Sequence, residues 1–511
     1  MRIGRTYIVS IALAGLLASG AFAGSGTIVP LGDYPPFSLD YDLLYRNAIL
    51  EQDFSLLSPV GPVTTEFGRG VLKNDSTPLF EIFDIRENSR ANLFAIATER
   101  YRTTKDAHGN DVPRLFGGFA YHPQAYFSAV SFFNLDRAKA LDPDYTGKKY
   151  RGLAGNLETS LLTFHKGKFT ASLGRTRVFW GPQRVNLIMS ETAEPLDLIT
   201  AGYSQGRFSF NFIFARLDGS TPDAVDSANY PEASFIENRY LAGHRIDIRV
   251  HKRVRIGLFE TVLYGGEGRP PELYYLNPLQ FFHSAQLNED ENDNTILGGD
   301  FTALLGKGTS AYGQILIDDF QIDDASRGDN EPNEIGLMMG VFKAGTIGSF
   351  IPDIKAEYVR ITNRTYHQRE PRNRYLFRNK LIGHPLGPDA DSVAVTIRFW
   401  PTRQFYAEVE LAYRRHGEGS IYNSWDEPWT EVDDYTEPFP TGTIEKAKLA
   451  AIRAGGYMPF STYMRKHFYV SLDAGIGDIE NYGNIPGLKK TTGYLDLSLT
   501  WLGFTSLNPA E

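Results

Sequence analysis

Cysteine is missing from all 511 residues. The chain therefore has no disulfide, no thiol nucleophile, no Cys-ligated metal and no acylated cysteine to serve as a lipoprotein anchor. Long apolar runs are also missing. Beyond the N-terminus no stretch of about eighteen apolar residues occurs, which removes the transmembrane helix. Positive charge is in deficit: the net charge is −9, which argues against a nucleic-acid partner. Catalytic signatures are scarce, with no Gly-x-Ser-x-Gly elbow, His-Glu-x-x-His helix or Walker-type loop. The ten His residues are scattered, and His122, His165 and His251 fall in turns, where a solvated role is the simplest reading. No enzyme and no cofactor is expected.

What is present points to export. Arg2 and Arg5 precede an apolar stretch from Tyr7 to Ala18, and Ala21-Phe22-Ala23 supplies a small-x-small cleavage pattern. Residues 1–23 read as a signal peptide cleaved after Ala23.

After residue 90 the hydrophobic period is two, as in half-buried strands. Phe208, Phe210, Phe212 and Phe214 alternate with smaller or polar residues. So do Ile246, Ile248 and Val250, then Phe405, Ala407, Val409 and Leu411, and finally Leu495, Leu497, Leu499 and Trp501. A soluble sandwich alternates in the same way; loop lengths decide between the two. About eighteen strands are expected, joined alternately by tight turns and long connections, as in a barrel inserted from one side of a membrane. Turns such as His165 to Lys168, Ser204 to Arg207 and His251 to Arg253 make the short set. The long set includes 179–196, 218–237, 265–293, 365–388 and 416–444, expected outside the cell, with Lys252 on the periplasmic side. The fold class read from this is all-β: a transmembrane antiparallel barrel over residues 91–504 in the outer membrane.

The last strand, Gly493 to Phe504, is amphipathic and ends in aromatics, resembling the signal read by the barrel-assembly machinery; a tail, 505–511, follows. Ahead of the barrel, residues 24–90 form a periplasmic segment in which Leu39 to Phe54 has helical spacing and suits a short helix capping the inner mouth.

Three stretches then carry a family resemblance. Gly174-Arg175-Thr176-Arg177-Val178-Phe179-Trp180-Gly181-Pro182 follows the fifth strand. Arg269-Pro270-Pro271-Glu272-Leu273-Tyr274-Tyr275-Leu276-Asn277-Pro278 lies in a later long loop. Gly383-His384-Pro385-Leu386-Gly387-Pro388-Asp389 leads into another strand. In this order they resemble the capsule-assembly outer-membrane barrels of the Wzi type, and the resemblance covers most of the chain from about residue 90. It implies a monomeric barrel with a largely occluded lumen, whose loops bind capsular or extracellular polysaccharide and hold it at the surface. The larger helical bundle of the enteric members has no counterpart here beyond the one short helix.

The residues suit such a ligand, since sugars are recognised by aromatic faces beside carboxylate, amide and guanidinium groups. The glycan-binding candidates are Trp180, Arg175, Arg177, Gln183, Tyr422, Trp425 and Trp429, with Asn423, Asp426 and Glu427 beside them. For any one aromatic, interface anchoring or loop packing is the competing reading. Arg175 and Arg177 share strand parity with Phe169, Ala171 and Leu173, which would turn them toward lipid; either they lie above the apolar band or a bulge at Gly174 turns them into the lumen, and the second is the preferred reading. Arg245, Asp247, Arg249, Glu408, Glu410 and Asp496 give the lumen mixed charge. Such a lumen suits a porin-like diffusion channel for small solutes, the alternative function, unless opposite charges pair and close it. Asn288 to Asn294 is acidic enough to suggest Ca²⁺, but it lacks the ligand spacing and turn glycine of a calcium loop and reads as a solvated surface loop, so no metal site is assigned. The expected surroundings are surface polysaccharide, outer-membrane lipid and lipopolysaccharide.

Overall fold

The computed structural model describes residues 27–28, 35–52, 54, 60–61, 63–64, 90–105, 107–124, 126–143, 145, 147–219, 238–289, 291–320, 331–432 and 435–507. The expected signal peptide, most of the 218–237 loop and residues 508–511 lie outside that set. Eighteen long antiparallel strands close on themselves. In chain order they are β1 Arg90–Thr104, β2 Arg114–Gln124, β3 Phe127–Asp136, β4 Leu153–Lys166, β5 Phe169–Thr176 and β6 Leu196–Gln205. Next come β7 Phe208–Leu217, β8 Asn238–His251, β9 Val254–Gly266, β10 Asn294–Gly306, β11 Thr309–Asp319 and β12 Glu334–Lys343. The set ends with β13 Asp353–Ile361, β14 Ala390–Thr402, β15 Phe405–His416, β16 Glu445–Tyr457, β17 Phe468–Glu480 and β18 Lys489–Leu507. β18 pairs with β1 from Tyr494↔Thr104 to Leu507↔Ala91, so the sheet has no free edge. The closing strand runs three residues beyond the expected Phe504, into the tail.

Alternation along each strand sorts the two faces. On β18, Leu497, Leu499 and Trp501 point out and are exposed, while Asp496 and Thr500 point in and are buried. On β14 and β15 the outer row is Val393, Val409 and Leu411, and the inner row includes Arg398 and Glu408. An apolar exterior around a polar interior, with every strand paired, is the arrangement that crosses a bilayer.

Helix α1, Pro35–Glu51, starts four residues earlier than its apolar spacing suggests. Two prolines open it, which a first helical turn accepts because its N–H groups have no partner there. Its buried face, Leu39, Leu43, Tyr45, Ala48 and Ile49, plugs the end of the barrel where the short turns lie. Arg46 donates to Asp353 Oδ1 at 3.2 Å, and Trp400 Nε1 donates to the other carboxylate oxygen at 2.7 Å. Asp42 pairs with Arg398 on the wall.

Candidate functional site

Two layers of loop fill the barrel from the long-loop end. The deeper layer is the β5–β6 connection, residues 177–195. Phe179 and Trp180 make a two-residue pairing with Val60–Gly61, and Trp180 N–H donates to Met189 O at 3.1 Å. Gln314 on β11 holds this turn from the wall: its amide donates to Trp180 O at 3.1 Å and accepts from Leu187 N–H at 2.6 Å. Trp180 is 1 % exposed, and Leu187, Ile188 and Met189 are fully buried. The indole lies against Gly243 on β8, where an added Cβ would stand 3.0 Å from the ring. This layer meets α1, since Gln183 donates to Tyr45 Oη at 3.1 Å and the Arg184 guanidinium sits 5.0 Å over the Tyr41 ring.

Arg175 and Arg177 part company, which corrects the expectation of a bulge at Gly174. The register of β5 against β6 runs unbroken from Phe169↔Tyr203 to Thr176↔Leu196, so Arg175 stays on the outer face, where its Nε donates to Asp197 Oδ1 at 2.7 Å. Gly174 is needed for close approach, because a Cβ there would lie 1.9 Å from Ser160 O. The irregularity falls instead in β4, where its pairing with β3 slips between Phe132 and Phe133 and turns Glu158 inward. Arg177, past the strand end, binds that Glu158 at 3.2 Å and the carbonyls of Glu191 and Ala193, and so ties down the plug.

Glu194 locks the same segment to its surroundings through Lys139 at 2.6 Å and Lys380 at 3.2 Å. Burial alone would push this carboxyl up. The Lys139 ammonium, helped by Arg177 and Lys380, outweighs burial and holds it at about 2.

Five of the six expected lumen charges meet an opposite charge. Fully buried Arg245 spans Asp247, at 2.9 Å from Nε, and Asp300, at 2.6 Å from Nη1. Its guanidinium occupies the place of a side chain at Gly257, where a Cβ would fall 2.1 Å from Nη2. Glu408 accepts from Arg398 and Arg453, Glu410 accepts from Arg453, and Asp496 accepts from Arg100 and Arg102. Arg249, near the short-turn end, donates to Gly206 O at 2.9 Å.

The upper layer is the β13–β14 connection, residues 362–389. Its stacked Tyr366 and Tyr375 rings lie 5.8 Å apart, and Tyr366 Oη donates to Leu187 O at 2.6 Å. Buried Arg239 donates to the carbonyls of Arg372, Arg374 and Leu376. The β15–β16 connection, residues 417–444, sits on top. Asp389, fully buried, accepts from Gly419 N–H and Thr441 N–H, each at 2.9 Å, and so joins the two loops.

That outermost surface carries three of the expected aromatics, two of them in contact. Trp425 and Trp429 meet edge to face at 6.3 Å, both half-buried, and Tyr422 is 50 % exposed. The Arg364 guanidinium lies 4.7 Å over the Trp429 ring and binds Asp426 Oδ1 at 3.1 Å as well as Glu437. His367 packs 5.4 Å from Trp425, and Trp425 Nε1 donates to Glu427 at 3.0 Å. Asn423 O accepts from Arg374 at 2.9 Å. The seven candidates therefore separate into three groups. Trp425 and Trp429 form a half-buried pair, with exposed Tyr422 on the same loop donating to Asn379 O; Trp180, Arg177 and Gln183 are internal to the plug; and Arg175 faces outward from the wall. Arg364, His367 and Asp389 hold this loop from between 30 and 65 residues away, a separation no local spacing reveals.

In the acidic loop, Asp293 is taken by Arg269 at 2.6 Å and by Tyr275 Oη at 2.8 Å. Among the described residues no group of three or more His, Asp or Glu is arranged to hold a metal ion.

Comparison with known proteins follows the same lines. No curated protein matches the sequence. Among solved structures the chain is similar to Wzi, described as an outer membrane protein involved in group 1 capsule assembly in Escherichia coli and a carbohydrate-binding β-barrel. The TM-score is 0.57 at 14 % identity, over 92 % of this chain and 99 % of that one. The outer membrane protein OprD of Pseudomonas aeruginosa matches at a TM-score of 0.46 and 8 % identity, over 81 % of this chain and 94 % of that one. OpdK of the same organism gives 0.46 and 9 %, over 81 % and 99 %. The sequence family described as capsule assembly protein Wzi matches residues 108–492. The chain belongs to the Wzi capsule assembly family.

Proposed function

We propose that this protein is an outer-membrane barrel, not an enzyme, that binds capsular or extracellular polysaccharide at its long-loop mouth and helps assemble or retain it at the cell surface. The observation that carries this reading is the Trp425–Trp429 pair on the outermost loop of a plugged barrel, with exposed Tyr422 on the same loop and Arg364, Asp426 and Glu427 beside the pair. Sugar rings present C–H faces that stack on indole and phenol, while hydroxyls bond carboxylate and guanidinium. Asp426, paired with Arg364, is 70 % exposed, and Arg369, paired with Glu427, is 58 % exposed, so a ligand can reach both ion pairs from solvent. Contacts of this kind are weak singly and gain avidity along a repeating polymer. Membership of the capsule assembly family, and the carbohydrate binding described for the E. coli barrel, support the same reading. The diffusion-channel alternative has the filled lumen against it.

In this scheme the chain is exported by its cleaved signal, inserted as a monomer by the barrel-assembly machinery among outer-membrane lipid and lipopolysaccharide, with α1 on the periplasmic side. The test is retention of the purified barrel on a column of its host's own surface polysaccharide. Tyr422→Ala, Trp425→Ala and Trp429→Ala each lower affinity per site about fivefold, near 1 kcal/mol, with unchanged heat-modifiable migration on gels. Deleting the gene releases polymer into the medium without changing the amount made. Wild-type retention by the triple variant, together with wild-type surface polymer in the deletion strain, would sink the proposal.

A further inference from the structure

The β9–β10 connection, described over residues 267–289 and 291–293, is one of the long connections, and by length alone it belongs outside the cell. Its course is different. Two short helices, α2 Leu273–Leu276 and α3 Phe282–Glu289, fold back along the outside of the barrel. Tyr275, Phe282 and Ala285 cover the outward side chains of Phe212, Tyr240 and Tyr264 on β7 to β9. Glu260 points outward from β9 and accepts from Phe282 N–H at 3.0 Å and His283 N–H at 2.8 Å, with His244 Nε2 at 3.1 Å. The loop's two ends are clamped by Arg269 on Asp293.

The height at which this happens is fixed by the ladder. Glu260 pairs with Leu297, and Leu297 is an exposed, outward leucine of the apolar band, followed downward by Phe301. Leu258, the next outward residue below Glu260, is 57 % exposed. The loop thus covers wall at a depth where the adjoining strand already presents an apolar surface. Four large apolar side chains stand out from it, Leu273 at 82 % exposed, Leu279 79 %, Phe281 70 % and Leu287 70 %, among the exposed polar residues Asn277, His283, Ser284, Asn288 and Glu289. Such apolar side chains held out by a clamped loop are unfavourable in water, and the loop that bears them packs on the same outer side of the wall as the exposed apolar residues of the strands.

We infer that residues 267–293 form a membrane-embedded flap whose outer face, Leu273, Leu279, Phe281 and Leu287, sits in the acyl-chain region of the outer leaflet. The flap widens the barrel's lipid contact on the β7–β9 side and keeps the Glu260–His244 pair away from hydrocarbon.

The chain's lack of cysteine makes the test clean. Single variants Leu279→Cys and Phe281→Cys carry a bimane label in the full-length barrel, reconstituted in bilayers of acyl-brominated lipid. Leu258→Cys, on the bare apolar wall, is the quenched reference, and Glu431→Cys, on the mouth, the unquenched one. Heat-modifiable migration selects assembled protein, and Leu287→Cys replaces either position if it fails to assemble. Quenching at 279 and 281 of at least half that at 258 is expected. Quenching no greater than at 431 would overturn the inference. So would disulfide cross-linking between copies at 279 without lipid quenching, which would give this face to a second copy of the chain.

Discussion

At the scale of single residues, exposure separates the two tryptophan classes. Trp425 and Trp429 are half-buried on the mouth, whereas Trp180 is enclosed between the plug and the β8 wall. Trp180→Ala therefore leaves a cavity in the plug, and about 3–5 kcal/mol of stability is lost, while affinity for glycan in the protein that remains folded is unchanged. Thermal unfolding beside column retention measures both; lost retention at unchanged stability would move Trp180 to the ligand. His384 gives a pH signature. Burial drives its pKa down to about 4 and, although Glu357 pulls the other way, Arg414 and Lys355 add to the fall. Its Nδ1 accepts from Leu386 N–H at 3.1 Å, a bond that protonation of Nδ1 ends. The folded state thus takes up this proton less readily than the unfolded chain. The contribution is complete above about pH 6.5 and is lost as pH falls toward 4, a change on the order of a few kcal/mol. Hydrogen exchange in 362–389 should rise between pH 7 and 4.5, and His384→Gln should flatten that rise; an equal rise in the variant assigns it elsewhere. The Glu194 latch, held at about 2, does not contribute in this window: its stabilisation is full above the usual carboxylate value and is lost below it, as pH falls toward 2.

Elements are ordered by connection length. The short turns gather at the end plugged by α1, and the long connections gather at the other. If α1 lies on the periplasmic side, as proposed, a single cysteine at Ser424 labels with an impermeant maleimide in intact cells and one at Lys252 does not. The reverse pattern would invert the barrel. The loops differ in fate despite similar length: 177–195 and 362–389 enter the lumen, 417–444 covers the mouth, and 267–293 lies on the outer wall. Charge and shape of the wall decide among these. Gln314, Arg239 and the side-chain-free surface of Gly243 receive loops inside, whereas Glu260 and a row of outward aromatics receive one outside.

For the whole molecule, closure and occlusion are separate facts with separate causes. Pairing of β18 with β1 closes the wall. The lumen is filled by α1 from one end and by two loop layers from the other, joined through Gln183 and Tyr45. The purified barrel is accordingly expected to show no steady conductance in planar bilayers, and deletion of about residues 180–194 should produce stable channel steps. Large steps from the intact protein would favour the diffusion channel.

The sequence by itself determined the wall. A period of two, strict alternation of short and long connections and the absence of any spanning helix leave a closed barrel as the way to satisfy every backbone group in lipid. It also determined the family, through three short motifs, and the composition of the mouth, because Tyr422, Trp425 and Trp429 lie within eight residues. Only the tertiary structure decided which candidates reach solvent. Trp180 and Trp425 are equally aromatic and equally placed in long loops, and the difference between them arises from contacts with Gly243, Gln314 and Met189 on one side and Arg364 and His367 on the other. Arg175 and Arg177 share a parity that predicts one fate, yet the strand ends between them and a bulge in the neighbouring β4 turns Glu158 toward the second alone. Local periodicity records which face of a strand a side chain takes. Where a loop comes to rest depends on surfaces contributed by strands far away in the chain, and no local pattern encodes those.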